Sequence, residues 1–336
     1  MHRIEDLYYQ TGGKCYLSFS GGKDSTVILA IIKMCEEIYT LPPNAIPAVF
    51  SDTGIELGST KEFVKWVKEN WYCNVEIIRP EKTFSWIVKN KGKPMKSKMK
   101  SEWLARYQRG NRSENTMKNL LGIKGVNVKS KIANKDMHLL HDDFDIKVSD
   151  YCCRTLKKKP FEKYNKQNNV KGYILGERMD EGGARLMDSQ KRIKNGGKLC
   201  TKTKGNYIVK LPIIDWTNKD IDEFIQRYNV PLSKAYTEYG YVRTGCFLCP
   251  FALNLSDNLK KLYMYEPNRY RASMFWLKDV YIAQNVILLF DDDYERERKK
   301  KWHEDYDRMR YEMLAKYRPN VAGKFNNKQT TIEDYL

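Results

Sequence analysis

Long apolar runs are missing from this sequence. No uninterrupted apolar stretch reaches the ~18–20 residues that a membrane-spanning helix needs. The first residues, Met1 to Asp6, hold no apolar core of the kind that marks a secretory signal. These absences predict a cytoplasmic protein with no membrane partner. Hydrophobic residues still make up 41% of the 336 positions, which is enough for one large or two modest domains.

Cysteine is missing from the last part of the sequence, since none follows Cys249. Eight cysteines in a cytosolic chain are more typical of metal or redox chemistry than of a disulfide framework. Cys152 and Cys153 are adjacent, and Cys246 and Cys249 form a CxxC pair. By itself, a CxxC pair is compatible with a redox couple, half of a zinc site or half of an iron–sulfur site.

Acidic residues are outnumbered by basic ones, 42 against 60, which gives a net charge of +18. The excess is concentrated between residues 89 and 135, where fourteen Lys or Arg accompany two acids. A cationic surface attracts phosphate-rich polymers, so we expect nucleic acid as a partner. The alternative is a solvated insertion whose charges only face water.

The most informative stretch follows the apolar run at residues 16–19 and precedes a helical pattern. It reads Ser20-Gly21-Gly22-Lys23-Asp24-Ser25-Thr26. The glycines allow a sharp turn and close approach of a ligand. A helix start offers N–H groups to an anion, and the hydroxyls and Lys23 add further donors. We predict a phosphate-binding turn; the alternative is an ordinary glycine-rich turn. It is not a Walker A loop, because Leu17 and Asp24 stand where that loop needs Gly and Ser or Thr.

Two further segments follow predicted strands. Asp52-Thr53-Gly54 is suited to a ribose, an amine or Mg²⁺, or else to a plain helix cap. Gly176-Glu177-Arg178, with Arg185 downstream, indicates from its residues alone a surface ion-pair cluster. The alternative is a phosphate or sulfate site, because a guanidinium pairs two oxygens at once.

Strands and helices alternate in the first part of the chain, which predicts an α/β fold with a doubly wound, mostly parallel sheet. We predict strands at 16–19, 45–50, 73–78, 172–175 and 207–211, and helices at 60–70, 157–165 and 218–228. The predicted domains are a nucleotide-binding domain at 1–255 with the basic insertion at 89–135, a helical C-terminal extension at 256–318, and a tail at 319–336. Residues 292–318 are predicted to form one long helix.

The Ser20–Ser25 string resembles the pyrophosphate loop of the adenine-nucleotide alpha-hydrolase superfamily. Within it, matching segments from about Lys14 to Phe251 resemble the phosphoadenylyl-sulfate (PAPS) and adenylyl-sulfate (APS) reductase family. The resemblance implies that Ser20–Thr26, Asp52, Thr53, Gly54 and Gly176 bind ATP, APS or PAPS. It also implies that Asp24 and Asp52 manage Mg²⁺ or ribose, and that Arg178 and Arg185 neutralise charge developing at the α-phosphate.

The four cysteines Cys152, Cys153, Cys246 and Cys249 resemble the set that holds a [4Fe–4S] cluster in the iron–sulfur branch of that family. The resemblance therefore implies a cluster at these residues, with zinc or bare thiols as the alternatives. Lys157, Lys158, Lys159 and Arg243 would offset the negative charge of the thiolates.

The chain departs from the family in one respect. The reductases carry a nucleophilic cysteine on a mobile tail, whereas no cysteine follows Cys249 here. Cys200, in a predicted exposed hairpin with Lys198, Lys202 and Lys204, is the candidate to carry a persulfide; otherwise it is a structural thiol. Cys15, Cys35 and Cys73 are predicted to be buried and inert.

A nucleotide loop with a cluster and no tail cysteine resembles the DNA phosphorothioation sulfurtransferases. This implies an ATP-dependent sulfur-transfer enzyme acting on DNA or RNA, with a cysteine desulfurase or a thioredoxin-like protein as donor. The runner-up is an APS/PAPS reductase that uses Cys200 or an external thiol. A third reading is a non-catalytic nucleic-acid-binding component. Residues 329–336 also resemble a sliding-clamp-binding peptide.

Overall fold

The computed structural model describes residues 1–122, 128 and 130–325. The chain divides into two compact units. The first unit combines Met1–Thr83 with Thr155–Cys246, and the second combines Phe84–Arg154 with the chain from Phe247 onward. The predicted basic insertion thus belongs to the same unit as the predicted C-terminal helices.

The first unit is built on a six-stranded sheet. Its strands are β1 (Cys15–Phe19), β2 (Ala48–Ser51), β3 (Val75–Ile78), β4 (Gly172–Ile174), β5 (Thr201–Lys204) and β6 (Tyr207–Lys210). The strand order is β3-β2-β1-β4-β6-β5. All neighbours are parallel except the β5–β6 edge pair, and the register aligns Phe19 with Phe50 and Leu17 with Ile174. The predicted α/β fold with a mostly parallel sheet is confirmed.

Helices connect and follow these strands. In the described residues the α-helices are α1 (His2–Thr11), α2 (Lys23–Glu37), α3 (Gly58–Trp66), α4 (Phe84–Asn90), α5 (Lys98–Gln108), α6 (Glu114–Leu121), α7 (Tyr151–Cys153), α8 (Lys159–Gln167), α9 (Gly183–Lys194), α10 (Asn218–Arg227), α11 (Lys234–Thr237), α12 (Leu255–Tyr265), α13 (Pro267–Ala283), α14 (Asp292–Lys301), α15 (Asp307–Tyr317) and α16 (Pro319–Phe325). Short 3₁₀ segments lie at Asn134–Leu140 and Met179–Glu181, and π segments at Val67–Trp71, Arg154–Lys158 and Trp302–Tyr306.

The core of the first unit forms where α2 meets the sheet. The run from Val27 to Ile32 is buried on every side of the helix, which is typical of a helix that packs inside a domain. It contacts the inward side chains of β1 and β2, including Leu17, Phe19 and Phe50. This packing fixes the amino end of α2 against the carboxyl end of β1.

The second unit is held by buried polar contacts as well as by apolar packing. His138 lies among the rings of Trp302 and Tyr306, and its Nε2 is 2.8 Å from the carbonyl oxygen of Ala283. Burial lowers the pKa of His138 to about 4, so the ring is neutral at pH 7 and Nε2–H donates to that carbonyl. Lys96 and Asp136 form a nearly buried ion pair at 2.6 Å.

The structure changes several predicted details. The predicted helix 292–318 is divided into α14 and α15 by the π segment, and α16 lies within the predicted tail. The clamp-like peptide at 329–336 lies outside the described residues. Within the described ranges, no helix is both long and apolar enough to cross a membrane.

Candidate nucleotide site

The predicted phosphate-binding turn lies between β1 and α2. Gly21 has a φ of +69°, a backbone conformation that favours glycine. A Cβ on it would also lie 3.0 Å from Cγ2 of Thr60, which is too close for a larger residue. Gly22 precedes α2 without a side-chain cap. The amino terminus of this 15-residue helix therefore borders the turn with its N–H groups, which favours an anion there.

Hydroxyl groups hold the turn together. Ser25 Oγ accepts from the Ser20 N–H at 3.2 Å and donates to the carbonyl of Gly22 at 3.0 Å. Thr26 is fully buried, and its Oγ1 donates to the same carbonyl at 2.9 Å. Both hydroxyls thus have partners inside the turn, and their direct contact with phosphate stays a prediction.

A cleft of about 560 Å³ opens at the turn. Four stretches of the first unit form its walls: the turn with the start of α2, the chain from β4 into α9, the start of α10, and residues 236–244. The predicted site residues that line it are Ser20, Gly22, Lys23, Asp24, Ser25, Gly176, Arg178 and Arg185. Two of the three predicted segments, 154 residues apart along the chain, therefore meet in one nucleotide-sized cavity.

Lys23 is the cation nearest the turn. Its ammonium lies 3.2 Å from Asp222 and 5.5 Å from the ring centre of Tyr236, and its side chain is 31% exposed. The Tyr236 hydroxyl lies 2.9 Å from Oγ1 of Thr244, and burial raises the pKa of this tyrosine. Tyr236 therefore stays protonated and forms a neutral wall beside Lys23.

Arg178 is a buried residue of the cleft lining. It is 5% exposed, and its Nε donates to Asp24 at 2.8 Å. Its terminal nitrogens donate to Asn218 at 2.8 Å and to Asp180 at 3.3 Å. A guanidinium has five donors in a rigid fork, so one side chain can join α2, the chain after β4 and the start of α10.

Gly176 allows that junction. A Cβ at this position would lie 3.1 Å from Cβ of Asp24 and 3.3 Å from the nitrogen of Ser25. The end of β4 and the amino end of α2 could not approach this closely with a larger residue. Gly176 therefore contributes to the site through its lack of a side chain.

Two further guanidinium groups share one carboxylate. Arg185 and Arg243 both pair with Glu181, whose side chain is 6% exposed. The arginines themselves are 42% and 58% exposed. The buried carboxylate thus holds two accessible cations in the wall of the cleft, where they suit the oxygens of a phosphate or sulfate. Arg243 has this ion pair, and its predicted role in offsetting the charge of a cluster stays a prediction.

The segment after β2 borders a second cavity of about 280 Å³. Both the hydroxyl and the N–H of Thr53 donate to Glu56, and Gly54 has a φ of +82°. The cavity shares Ser20 and Thr244 with the larger cleft, so the two cavities adjoin at the end of β1. Glu56 lines the second cavity, whereas Asp52, Thr53 and Gly54 line neither.

Asp52 forms ion pairs with two cations. Its carboxylate lies 3.0 Å from Nζ of Lys61 and 3.3 Å from Nε of Arg79, and it accepts from the Gly54 N–H. Burial would raise its pKa, but Lys61, the Gly54 N–H and Arg79 together outweigh burial and hold the pKa below its usual value. Asp52 is thus a carboxylate at neutral pH; its contact with ribose or Mg²⁺ stays a prediction.

The four cysteines of the predicted cluster are all half-buried, and none forms a disulfide. Cys152, Cys153 and Cys249 belong to the second unit, and Cys246 is the last residue of the first. Across the described ranges, no three His, Cys, Asp or Glu side chains are grouped as a metal site. Thiols fit iron–sulfur chemistry, and the cluster at these residues stays a prediction.

The remaining cysteines differ in exposure. Burial raises the pKa of Cys15 and Cys35 to about 11, as expected of inert thiols. The prediction for Cys73 is wrong, because this residue is exposed and donates to Asn44 at 3.1 Å. Cys200 was predicted in an exposed hairpin; it is half-buried, because it packs on the apolar cluster beneath β5 and β6.

Sequence reasoning missed Tyr236, Thr244, Asn218, Asp222 and Glu181. Asn218 follows Thr217, whose side chain caps α10 by accepting from the Asp220 N–H. A cap next to a strand end was the available signal for that position. The others show no local pattern, because they reach the cleft only through tertiary packing.

The fold is an α/β fold with a cleft at the carboxyl edge of a mostly parallel sheet, which is where open α/β sheets bind their ligands. Residues 14–252 match the phosphoadenosine phosphosulfate reductase domain family. The chain belongs to this family of nucleotide-binding, sulfur-related enzymes.

Several known proteins are similar to the chain. Two uncharacterized proteins of Methanocaldococcus jannaschii are each 24% identical, over 77% and 74% of this chain but only 48% and 38% of their own lengths. The chain thus spans about half or less of these relatives. A phosphoadenosine 5′-phosphosulfate reductase of Proteus mirabilis is 22% identical over 63% of each chain. A crystal structure of PAPS reductase from Candida auris, in a phosphate complex, matches with a TM-score of 0.40 and 15% identity over 69% of this chain and 81% of that chain.

Proposed function

We propose that the protein is an ATP-dependent sulfur-transfer enzyme that acts on a nucleic acid. An oxygen of the substrate attacks the α-phosphorus of ATP, and pyrophosphate leaves. A sulfur nucleophile then attacks the adenylylated position, and AMP leaves with the original oxygen. Mg²⁺ would accompany the ATP phosphates.

The cleft at the turn is the observation that carries this proposal. It combines a helix amino terminus, Lys23 and the two accessible guanidinium groups of Arg185 and Arg243. These groups are suited to a triphosphate and to the charge that grows at the α-phosphorus during attack. Arg178 acts in this scheme by positioning Asp24 and the turn.

The distribution of thiols in the sequence favours a sulfur donor outside the cleft. Within this sequence no cysteine follows Cys249, and the cleft-lining residues include none. The sulfur would therefore come from a donor protein, such as a cysteine desulfurase or a thioredoxin-like protein, or through Cys200. A [4Fe–4S] cluster at Cys152, Cys153, Cys246 and Cys249 belongs to the same proposal as a sulfur-binding centre.

The test starts from full-length protein purified without oxygen. Wild-type protein should release pyrophosphate from ATP when an oligonucleotide and a sulfide donor are present, and the Lys23→Ala variant should not. Iron and acid-labile sulfide should each amount to about four per chain and fall in Cys152→Ser. One zinc per chain, or no metal, would refute the cluster while leaving the pyrophosphate assay to decide the nucleotide chemistry.

The named relative from Proteus mirabilis favours a second candidate, an APS or PAPS reductase that uses an external thiol. In that reaction the thiolate attacks the sulfate sulfur, the nucleotide leaves, and a second thiol releases sulfite as the disulfide forms. Sulfite produced from APS or PAPS with thioredoxin, without pyrophosphate release from ATP, would establish this candidate. A non-catalytic nucleic-acid or clamp-binding component would show neither reaction.

A further inference from the structure

A second concave surface of the first unit lies between the end of α9 and β5. We call it the α9–β5 groove; its volume is about 510 Å³. Lys191, Arg192, Lys198 and Lys202 line it, and Asp188 is the one acid among its described lining residues. Residues 185–204 contain seven Lys or Arg and one acid. This segment is distinct from the basic insertion at 89–135.

The cations of this segment divide into two groups. Two of them form ion pairs: the ammonium of Lys202 lies 2.6 Å from Glu177, and Arg192 pairs with Asp188 at 3.2 Å. Four other lysines of this segment are exposed: Lys191, Lys194, Lys198 and Lys204. In the part of the chain that the structure describes, no carboxylate lies within 4.0 Å of their ammonium groups. A merely solvated face would show more ion pairs, as α14 and α15 do.

The backbone that carries these lysines is well fixed. Arg192 donates to the carbonyl of Leu199 at 2.6 Å and so ties the end of α9 to the start of β5. A Cβ on Gly197 would lie 3.1 Å from both Cγ and the carbonyl oxygen of Arg192. The groove is therefore a formed surface rather than a loose loop.

The groove continues from the nucleotide cleft. α9 begins beside the cleft, where Arg185 lines the wall, and its last turns carry Lys191 and Arg192, which line the groove. The bond from Lys202 to Glu177 joins the two surfaces a second time, because Glu177 lines the cleft. Arg185 and Arg192 are separated by about 10 Å along the helix axis, which is the length of about three nucleotides of one B-form strand.

We infer that the α9–β5 groove binds the phosphodiester backbone of the nucleic acid whose reacting nucleotide enters the cleft. The inference rests on the proposed function and specifies its polymer-binding surface. Nucleic acid fits better than an acidic protein, because lysine is depleted and aromatic residues are enriched in protein interfaces. The groove lining is rich in lysine and contains no aromatic residue among its described members.

The test compares two triple variants of the full chain. The first variant reverses the charge of two exposed groove residues, with Lys191→Glu and Lys198→Glu, and of a third exposed lysine at the end of α9, with Lys194→Glu. Lys68→Glu with Lys166→Glu and Lys171→Glu is the matched control, because these lysines are also exposed and belong to the same unit. Binding of labelled single-stranded DNA, duplex DNA and RNA is measured between about 50 and 200 mM salt, and ATP affinity is measured in parallel.

The groove variant should lose at least tenfold in nucleic-acid affinity, and the slope of log K against log salt should decrease by about 2 to 3, at about one per lost phosphate contact. ATP affinity should be retained, and the control variant should match wild type in both assays. Equal nucleic-acid binding by the groove and control variants would overturn the inference, as would binding of polyglutamate in preference to every oligonucleotide. If wild-type protein releases no pyrophosphate from ATP but its nucleic-acid binding depends on the groove lysines, the result would count against the proposed function alone.

Discussion

Lys23 and Asp24 are neighbours in the sequence but have different partners, so their substitutions should separate nucleotide binding from stability. Lys23 pairs with Asp222, which is 55% exposed, and such a pair contributes about 0–1 kcal/mol. Lys23→Ala should therefore leave the free energy of unfolding within about 1 kcal/mol of wild type. It also removes a charge-assisted contact to phosphate of about 1.5–3 kcal/mol, so the Kd for ATP should rise roughly 10- to 150-fold.

Asp24→Ala should lower the free energy of unfolding, unlike Lys23→Ala. It removes the acceptor of the Arg178 Nε–H and leaves part of a buried guanidinium unpaired, at a cost of about 1–3 kcal/mol. Asp24→Asn is the matched control, because its amide oxygen can still accept that hydrogen bond. Its stability should lie between those of wild type and Asp24→Ala.

The assays are urea unfolding and titration calorimetry with ATP, performed on the same preparations. Unchanged ATP affinity in Lys23→Ala would refute the assignment of the turn as a phosphate site. A loss of stability in Lys23→Ala equal to that in Asp24→Ala would refute the distinction between an exposed and a buried ion pair.

Three other predictions follow from particular contacts. Gly176→Ala should destabilise the protein by about 1–3 kcal/mol in urea unfolding and weaken ATP binding, because its Cβ would press on the start of α2. Gly323→Ala is the control and should not destabilise, because no described atom lies within 4 Å of its added Cβ and alanine favours a helix. The pKa of His138 is lowered to about 4 in the folded state, so the unfolded state binds more protons below pH 6.5. The free energy of unfolding should therefore fall as the pH drops from 6.5 towards 4. His138→Phe should remove that dependence, and an unchanged pH profile in the variant would contradict the burial argument. Lys98→Glu with Lys100→Glu should weaken nucleic-acid binding in a salt-dependent way if the basic insertion is a binding surface, and an unaffected Kd would identify it as a solvated face.

The sheet was predictable because its strands carry dense local signals. Short apolar runs bounded by glycine and polar turns predicted five of the six strands, and their observed bounds differ by a few residues at most. The sixth strand, β5, was not predicted, because Thr-Lys-Thr-Lys contains no apolar residue. Boundaries shifted where tertiary contacts decide the end of an element. Ala45, for example, lies before β2 because Pro47 and the preceding turn delay the start of pairing.

The candidate site was predictable in its backbone and less so in its side-chain partners. The turn at Ser20–Gly22 is a local pattern of small residues, and its position between a strand and a helix follows from that pattern. The bond between Asp24 and Arg178 joins residues that are 154 positions apart. Arg243 and its partner Glu181 are also distant in the sequence, and their pairing depends on how two segments of the chain meet. Such pairs depend on strand order, which a single sequence does not specify.

The edge strand β5 has a consequence for self-association. Among the described residues it is the last strand of the sheet and pairs only with β6, so its outer side presents backbone groups without a strand partner there. Its sequence is Thr-Lys-Thr-Lys, and a row of lysines on an edge strand opposes pairing with another chain. The lysines that border the groove therefore also keep the sheet edge from recruiting a second molecule. A long polyanion that neutralises them would remove this protection, so complexes with nucleic acid should self-associate more readily than the isolated protein.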